Sequence, residues 1–184
     1  MFISLIFWGI TPLESIHLLW INLVTDGLPA IALGMTKVAS DVMMQKPKKK
    51  DESIFANKLG LKIFLEGVVF AGVALVAFYI GKRTGNIVAG KTMTFMVLAL
   101  SQVVHTYTIK NKKTVFTKET FDNKYLNLAC LGSVILVLGI IFTPLVNLFG
   151  LCKLSNALYS IALLLVFLTV GIFEVVKALG RSDR

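Results

Sequence analysis

The sequence predicts an all-α fold, a polytopic membrane helix bundle with five full transmembrane helices and one partial helix. Three observations predict it. Hydrophobic residues make up 56% of the 184-residue chain, and the mean hydropathy is +0.80, both too high for a soluble domain of this length. They fall in runs close to the roughly 20 residues that a spanning helix needs. Polar stretches with glycine and lysine separate the runs. A backbone inside lipid must satisfy its own N–H and C=O groups, and helices do so within one segment.

Residues 2–10 are apolar but too short to cross, and read as the end of a helix whose beginning is absent. Thr11, Pro12, Leu13, Glu14 and Ser15 form a tight turn, and residues 16–34 form the first full span, broken near Gly27 and Pro29. A basic stretch follows, with Lys46, Pro47, Lys48, Lys49 and Lys50; it reads as a solvated loop or an anionic-lipid contact. The second span, residues 58–80, carries Gly60, Gly67 and Gly72, as close helix packing in membranes favours. After a short polar turn, residues 92–109 form a third span, polar for its kind, with Ser101, Gln102, His105 and Thr106. A second basic loop leads to the fourth span at 125–142. A connection with Pro144 and Gly150 leads to the fifth at 157–176. One transmembrane domain accounts for the whole chain, and no soluble domain is expected.

Fifteen of the nineteen Lys and Arg residues fall on one side of this arrangement. The other side holds Lys82, Arg83, Lys91 and Lys153. The basic loops and the C-terminus are therefore expected in the cytoplasm and the Thr11–Ser15 turn outside. The first apolar run lacks a charged n-region and continues into further spans, so no cleaved signal is expected. A net charge of +9, placed in membrane loops, points to the bilayer surface and not to nucleic acid. Cys130 and Cys152 have no CxxC or Cys/His spacing and imply neither a disulfide framework nor a metal site. No Gly-rich phosphate loop, and no nucleophile with a nearby base, is present. Catalytic and cofactor-binding residues are accordingly none.

The exception to this apolar character is the run from Leu18 to Ala30. Asn22, Thr25 and Asp26 stand at i, i+3 and i+4, which on an α-helix is one face. Pro29 has no N–H for the carbonyl of Thr25, four residues back. A carboxylate, an amide oxygen, a hydroxyl and a freed carbonyl form a set of hard oxygen ligands of the kind calcium takes. A mid-membrane carboxylate costs about 2.5–3.5 kcal/mol on insertion scales and is a functional candidate by default. The competing role for Asp26 is a protonated or paired carboxyl in helix packing. Gln102 is either at this site or interhelical hydrogen-bond glue, while His105 and Thr106 read as packing. Glu66 and Glu174 lie near span ends and read as snorkelling partners of neighbouring cations. Trp8 and Trp20 suit interfacial or packing positions.

The thirteen residues from Leu18 to Ala30, Leu-Leu-Trp-Ile-Asn-Leu-Val-Thr-Asp-Gly-Leu-Pro-Ala, resemble the sixth transmembrane helix of calcium-pump-type P-type ATPases. Residues 51–67 resemble the entry into that family's seventh helix. Thr92 to Phe95, Leu100 to Gln102 and His105 resemble the eighth. Phe121 to Leu126 resemble the loop before the ninth. The resemblance covers almost the whole chain and makes it helices six to ten, with residues 2–10 the end of helix five. It implies metal ligands at Asn22, Thr25 and Asp26. It also places Gln102 where two-site pumps have an acidic ligand, which implies a single calcium ion, transported as substrate. ATP and magnesium would act only in the phosphorylation, nucleotide-binding and actuator domains. Those domains, and helices one to five, are the expected partners besides the lipid bilayer.

On this resemblance the chain is a piece of a pump, inactive alone as an enzyme, in a bacterial plasma membrane. Two other readings stand beside it: a free-standing helical channel, scaffold or subunit, and a pump for sodium, potassium or manganese.

Overall fold

The computed structural model describes residues 2–35, 59–110 and 118–182. Helix α1 is Phe2–Trp8, and the next apolar segment is wound in three pieces: α2 (Ser15–Trp20), a π-helical stretch (Ile21–Gly27) and α3 (Leu28–Gly34). Then come α4 (Leu59–Lys82), α5 (Ile87–Lys110), a 3₁₀ turn (Lys118–Phe121), α6 (Lys124–Phe142), the short α7 (Leu145–Leu148) and α8 (Asn156–Ser182). Among the described residues, five segments are long and apolar enough to cross a membrane: Ser15–Gly34, Gly60–Lys82, Ile87–Lys110, Lys124–Phe142 and Asn156–Val176. The all-helical bundle matches the sequence reading. The basic stretches around Lys46–Lys50 and Lys112–Lys113 lie outside the described residues.

Helix α5 is the centre of the bundle. It packs against α4, α8, α6, α3 and the π segment, and 67% of its most apolar stretch is buried, against 22–33% in the other four spans. Met93, Phe95, Met96, Val97 and Ala99 form the core with Ala77, Val137, Ile140, Ala162 and Val166. Apolar side chains also face outward in quantity (Ile6, Phe7, Leu128, Phe167), as lipid-facing helices require. Three buried hydroxyls are absorbed by their own helix: Thr92, Thr94 and Thr169 donate to the carbonyls of Val88, Gly90 and Leu165.

Two sequence expectations change here. Helix α5 begins at Ile87, five residues before the predicted start, because the Asn86 side chain accepts the amide of Val88 at 2.8 Å and caps the helix. The glycines expected to bring helices close, Gly67 and Gly72, meet nothing within 4 Å of an added Cβ. The close approach is at the α4–α5 hairpin instead. A Cβ on Gly81 would lie 2.6 Å from the Cα of Gly90.

The end of the bundle bearing Glu14 is tied by side chains. Lys91 donates to Glu14 at 2.6 Å, and this hydrogen bond and charge hold the Glu14 carboxyl below its ordinary value of 4.5. His17 is fully buried. Its Nδ1 accepts the amide of Glu14 at 2.9 Å, so Nε2 carries the hydrogen and donates to the carbonyl of Phe149 at 2.7 Å. Lys82 lies over the Trp8 ring at 5.6 Å, and Trp20 meets Phe149 edge-on; both tryptophans pack as anticipated. Glu66 pairs with Lys62 at 3.7 Å, one turn back. It also lies 3.5 Å from His105 across the α4–α5 interface. The side chain of Lys177, beside Glu174, lies outside the described residues.

Candidate functional site

The π segment is where the sequence placed its three candidate ligands, and the winding rearranges them. Bonds of the i→i+5 type take more than four residues per turn, so position i+3 falls away from the line joining i and i+4. Asn22 is exposed and Asp26 half-exposed, while Thr25 is enclosed completely. The Thr25 hydroxyl donates to the Ile21 carbonyl at 2.6 Å. Its oxygen keeps lone pairs, but it faces the packed side. The α-helical pattern expected all three on one face; the structure puts Asn22 and Asp26 on the open side and Thr25 on the closed side.

The open carbonyl also moves. In an α-helix, Pro29 would leave Thr25 without a partner; in i→i+5 winding it is Val24 whose carbonyl looks toward Pro29 and finds no hydrogen. That carbonyl accepts from Ser133 on α6, at 2.8 Å, with the serine wholly buried. Sequence reasoning missed Ser133. Its only signal was a lone serine in an apolar span.

Helices α5, α6 and α3 pack directly against the π segment. On α5, Gln102 has its Oε1 buried with no hydrogen-bond partner among the described residues, and the Ser101 hydroxyl and Trp20 Nε1 are in the same condition. Buried polar atoms are nearly always paired, so an unpaired amide oxygen on the helix that backs the π segment suits a ligand or a further polar neighbour. His105 lies between the Phe70 and Phe173 rings, and Thr106 donates to the Gln102 carbonyl at 3.1 Å, which accords with the packing roles expected of both.

Among the described residues no three His, Cys, Asp or Glu side chains cluster. The arrangement therefore offers one carboxylate with neutral oxygens, a donor set for a hard cation and not for a thiolate or imidazole metal.

Residues 10–179 match the family described as "Cation transporting ATPase, C-terminus". The chain is 40% identical over 135 residues to the calcium-transporting ATPase of Bacillus subtilis, covering 72% of this chain and 15% of that protein. It is 34% identical over 201 residues to calcium-transporting ATPase 1 of Bacillus cereus, covering 99% of this chain and 22% of that one. A third relative, the endoplasmic reticulum-type calcium-transporting ATPase 3 of Arabidopsis thaliana, is 33% identical over 202 residues, covering 92% and 20%. The chain thus spans about a fifth or less of the length of these curated relatives.

Proposed function

The chain belongs to the family of cation-transporting ATPase C-termini, and from that premise we propose that it forms the C-terminal membrane part of an ATP-driven calcium pump and supplies part of its intramembrane ion site. Asp26 and Asn22 are the ligands this part presents on the open face, with Gln102 a further candidate on α5, the helix that packs against the π segment. Thr25, buried with its hydroxyl on the Ile21 carbonyl, would join them only if the segment rewound. The observation that supports this reading is the π-wound interruption of an apolar span, in which the amide of Asn22 and the carboxylate of Asp26 both stay accessible. Interrupted helices at mid-membrane are where transporters place ions, because irregular backbone survives there only in protein or beside a cavity. Calcium is favoured by the hard oxygen set and by the relatives' names. Gln102 is neutral, so the charge present suits one calcium and not two.

The remaining machinery, including the residues that handle ATP and magnesium and the helices before this chain, lies elsewhere in the pump. In the cycle we propose, the ion reaches the π segment from the cytoplasm, and movement driven by the ATP-handling domains releases it on the far side. The full-length pump carrying this chain should show ATP hydrolysis stimulated by micromolar calcium and not by sodium, potassium or manganese. Stimulation by one of those ions in place of calcium would overturn the choice of ion.

The charge asymmetry, fifteen of nineteen basic residues on one side, supports cytoplasmic basic loops and an external Glu14–Lys91 end in a bacterial plasma membrane. An impermeant maleimide should label Arg83→Cys in intact cells and Lys112→Cys only after permeabilisation. The opposite pattern would invert the topology.

A further inference from the structure

We propose that Ser133 is a positioning residue for the cation site: its hydroxyl holds the Val24 carbonyl and thereby fixes the π winding that sorts Asn22 and Asp26 from Thr25. The inference rests on the reading of Asn22 and Asp26 as ligands and adds a residue to it from a different helix.

The segment Ile21–Gly27 has two ways to wind, and Pro29 leaves a different carbonyl open in each. With α winding, Val24 accepts from Leu28 and the Thr25 carbonyl is open. With π winding, the partner of the Val24 carbonyl would be the amide hydrogen of Pro29, which has none, so the Val24 carbonyl is open. Whichever carbonyl is open lies in a packed, water-poor setting where an unpaired acceptor is costly. A donor fixed on a neighbouring helix therefore selects the winding. Ser133 is that donor, with its Oγ 2.8 Å from the Val24 oxygen and no exposed surface.

Helix α6 can hold the hydroxyl in place because it is itself anchored. The Asn123 side chain caps it by accepting from Tyr125 and Leu126. The same side chain donates to the Ala32 carbonyl at 3.1 Å, near the end of α3. Leu126 and Cys130 pack with Ala32 and Val103 between α6, α3 and α5. The serine is thus referenced to the end of the same broken span that it clamps at the middle.

The consequence is geometric. Were the segment to relax to α winding, Thr25 would swing toward the Asn22–Asp26 face, and every side chain after Val24 would turn about the axis. Asp26 would shift relative to Asn22 and to Gln102 on α5. A site built for one ionic radius would then bind calcium less tightly, while steps that follow occupancy would proceed normally.

The test uses the full-length pump carrying this chain, reconstituted in vesicles, with calcium-45 as the probe. Ser133→Ala should raise the calcium concentration for half-maximal uptake about tenfold, the scale of one lost buried hydrogen bond. Its maximal rate should stay within about twofold of the unmodified pump, which separates ligand positioning from general damage. Ser133→Thr, which keeps the hydroxyl, should restore the affinity. Asp26→Asn is measured alongside. If Asp26→Asn stops uptake while Ser133→Ala keeps normal affinity, the inference fails and the ligand reading stands. If Asp26→Asn leaves uptake intact, the ligand reading itself fails. Should Ser133→Ala give no membrane-inserted pump, Ser133→Cys, the same size with a weaker donor, must raise the half-maximal concentration; normal affinity there overturns the proposal.

Discussion

Asp26→Asn is expected to reduce ATP-driven calcium uptake by the full-length pump roughly a hundredfold or more, since ligand charge sets calcium affinity over several decades. The substitution keeps size and shape, so Val24, Thr25 and the Ser133 clamp remain as they are. It removes the one carboxylate of the π segment, which sits half-exposed on the open face. A carboxylate at this depth opposes membrane insertion by about 2.5–3.5 kcal/mol, so its loss should leave the amount of inserted protein unchanged or higher. Reduced transport with undiminished abundance would separate a ligand from a packing carboxyl. Calcium-45 uptake into vesicles, normalised to pump content, checks it. Transport at the unmodified level would show that Asp26 does not hold the ion.

Gly81→Ala is expected to have the largest effect on stability. The added Cβ would lie 2.6 Å from Gly90 Cα, 2.7 Å from Gly90 N and 2.8 Å from the Ala89 carbonyl oxygen. All three are backbone atoms, so no side chain can turn aside. Relief requires α4 and α5 to separate where they join, and α5 is the helix on which the other spans pack. The cost should be at least the 1–3 kcal/mol typical of overpacking, roughly. Thermal unfolding in lipid nanodiscs should show a clear fall in Tm for Gly81→Ala and none for Gly67→Ala, where the new methyl meets nothing within 4 Å. Equal stability of the two variants would contradict the close approach.

The bundle was legible in the sequence because apolar runs of spanning length leave a backbone little choice but helix. Their ends were less so. Ile87, Val88, Ala89 and Gly90 resemble a helix start as much as a turn, and only the cap supplied by Asn86 decides between them. The glycines that matter for packing, Gly81 and Gly90, lay in what read as a polar turn.

At the candidate site, the choice of Asn22, Thr25 and Asp26 followed from polar residues in an apolar run, but their relative directions did not. A face deduced from i, i+3 and i+4 presupposes 3.6 residues per turn, and here the winding is wider. The reason for the wider winding lies 109 residues away, in a serine that donates to Val24. No pattern local to Leu18–Ala30 carries that information. The bond between Ser133 and Val24 is a tertiary fact.

On the proposed function, Asp26 of this chain is a calcium-binding carboxylate on an interrupted membrane helix. Equilibrium calcium-45 binding to the purified full-length pump without ATP tests it most directly, because no phosphorylation step intervenes. One saturable calcium per pump is predicted for the unmodified protein and none at the same concentrations for Asp26→Asn. Undiminished binding to Asp26→Asn would contradict the claim.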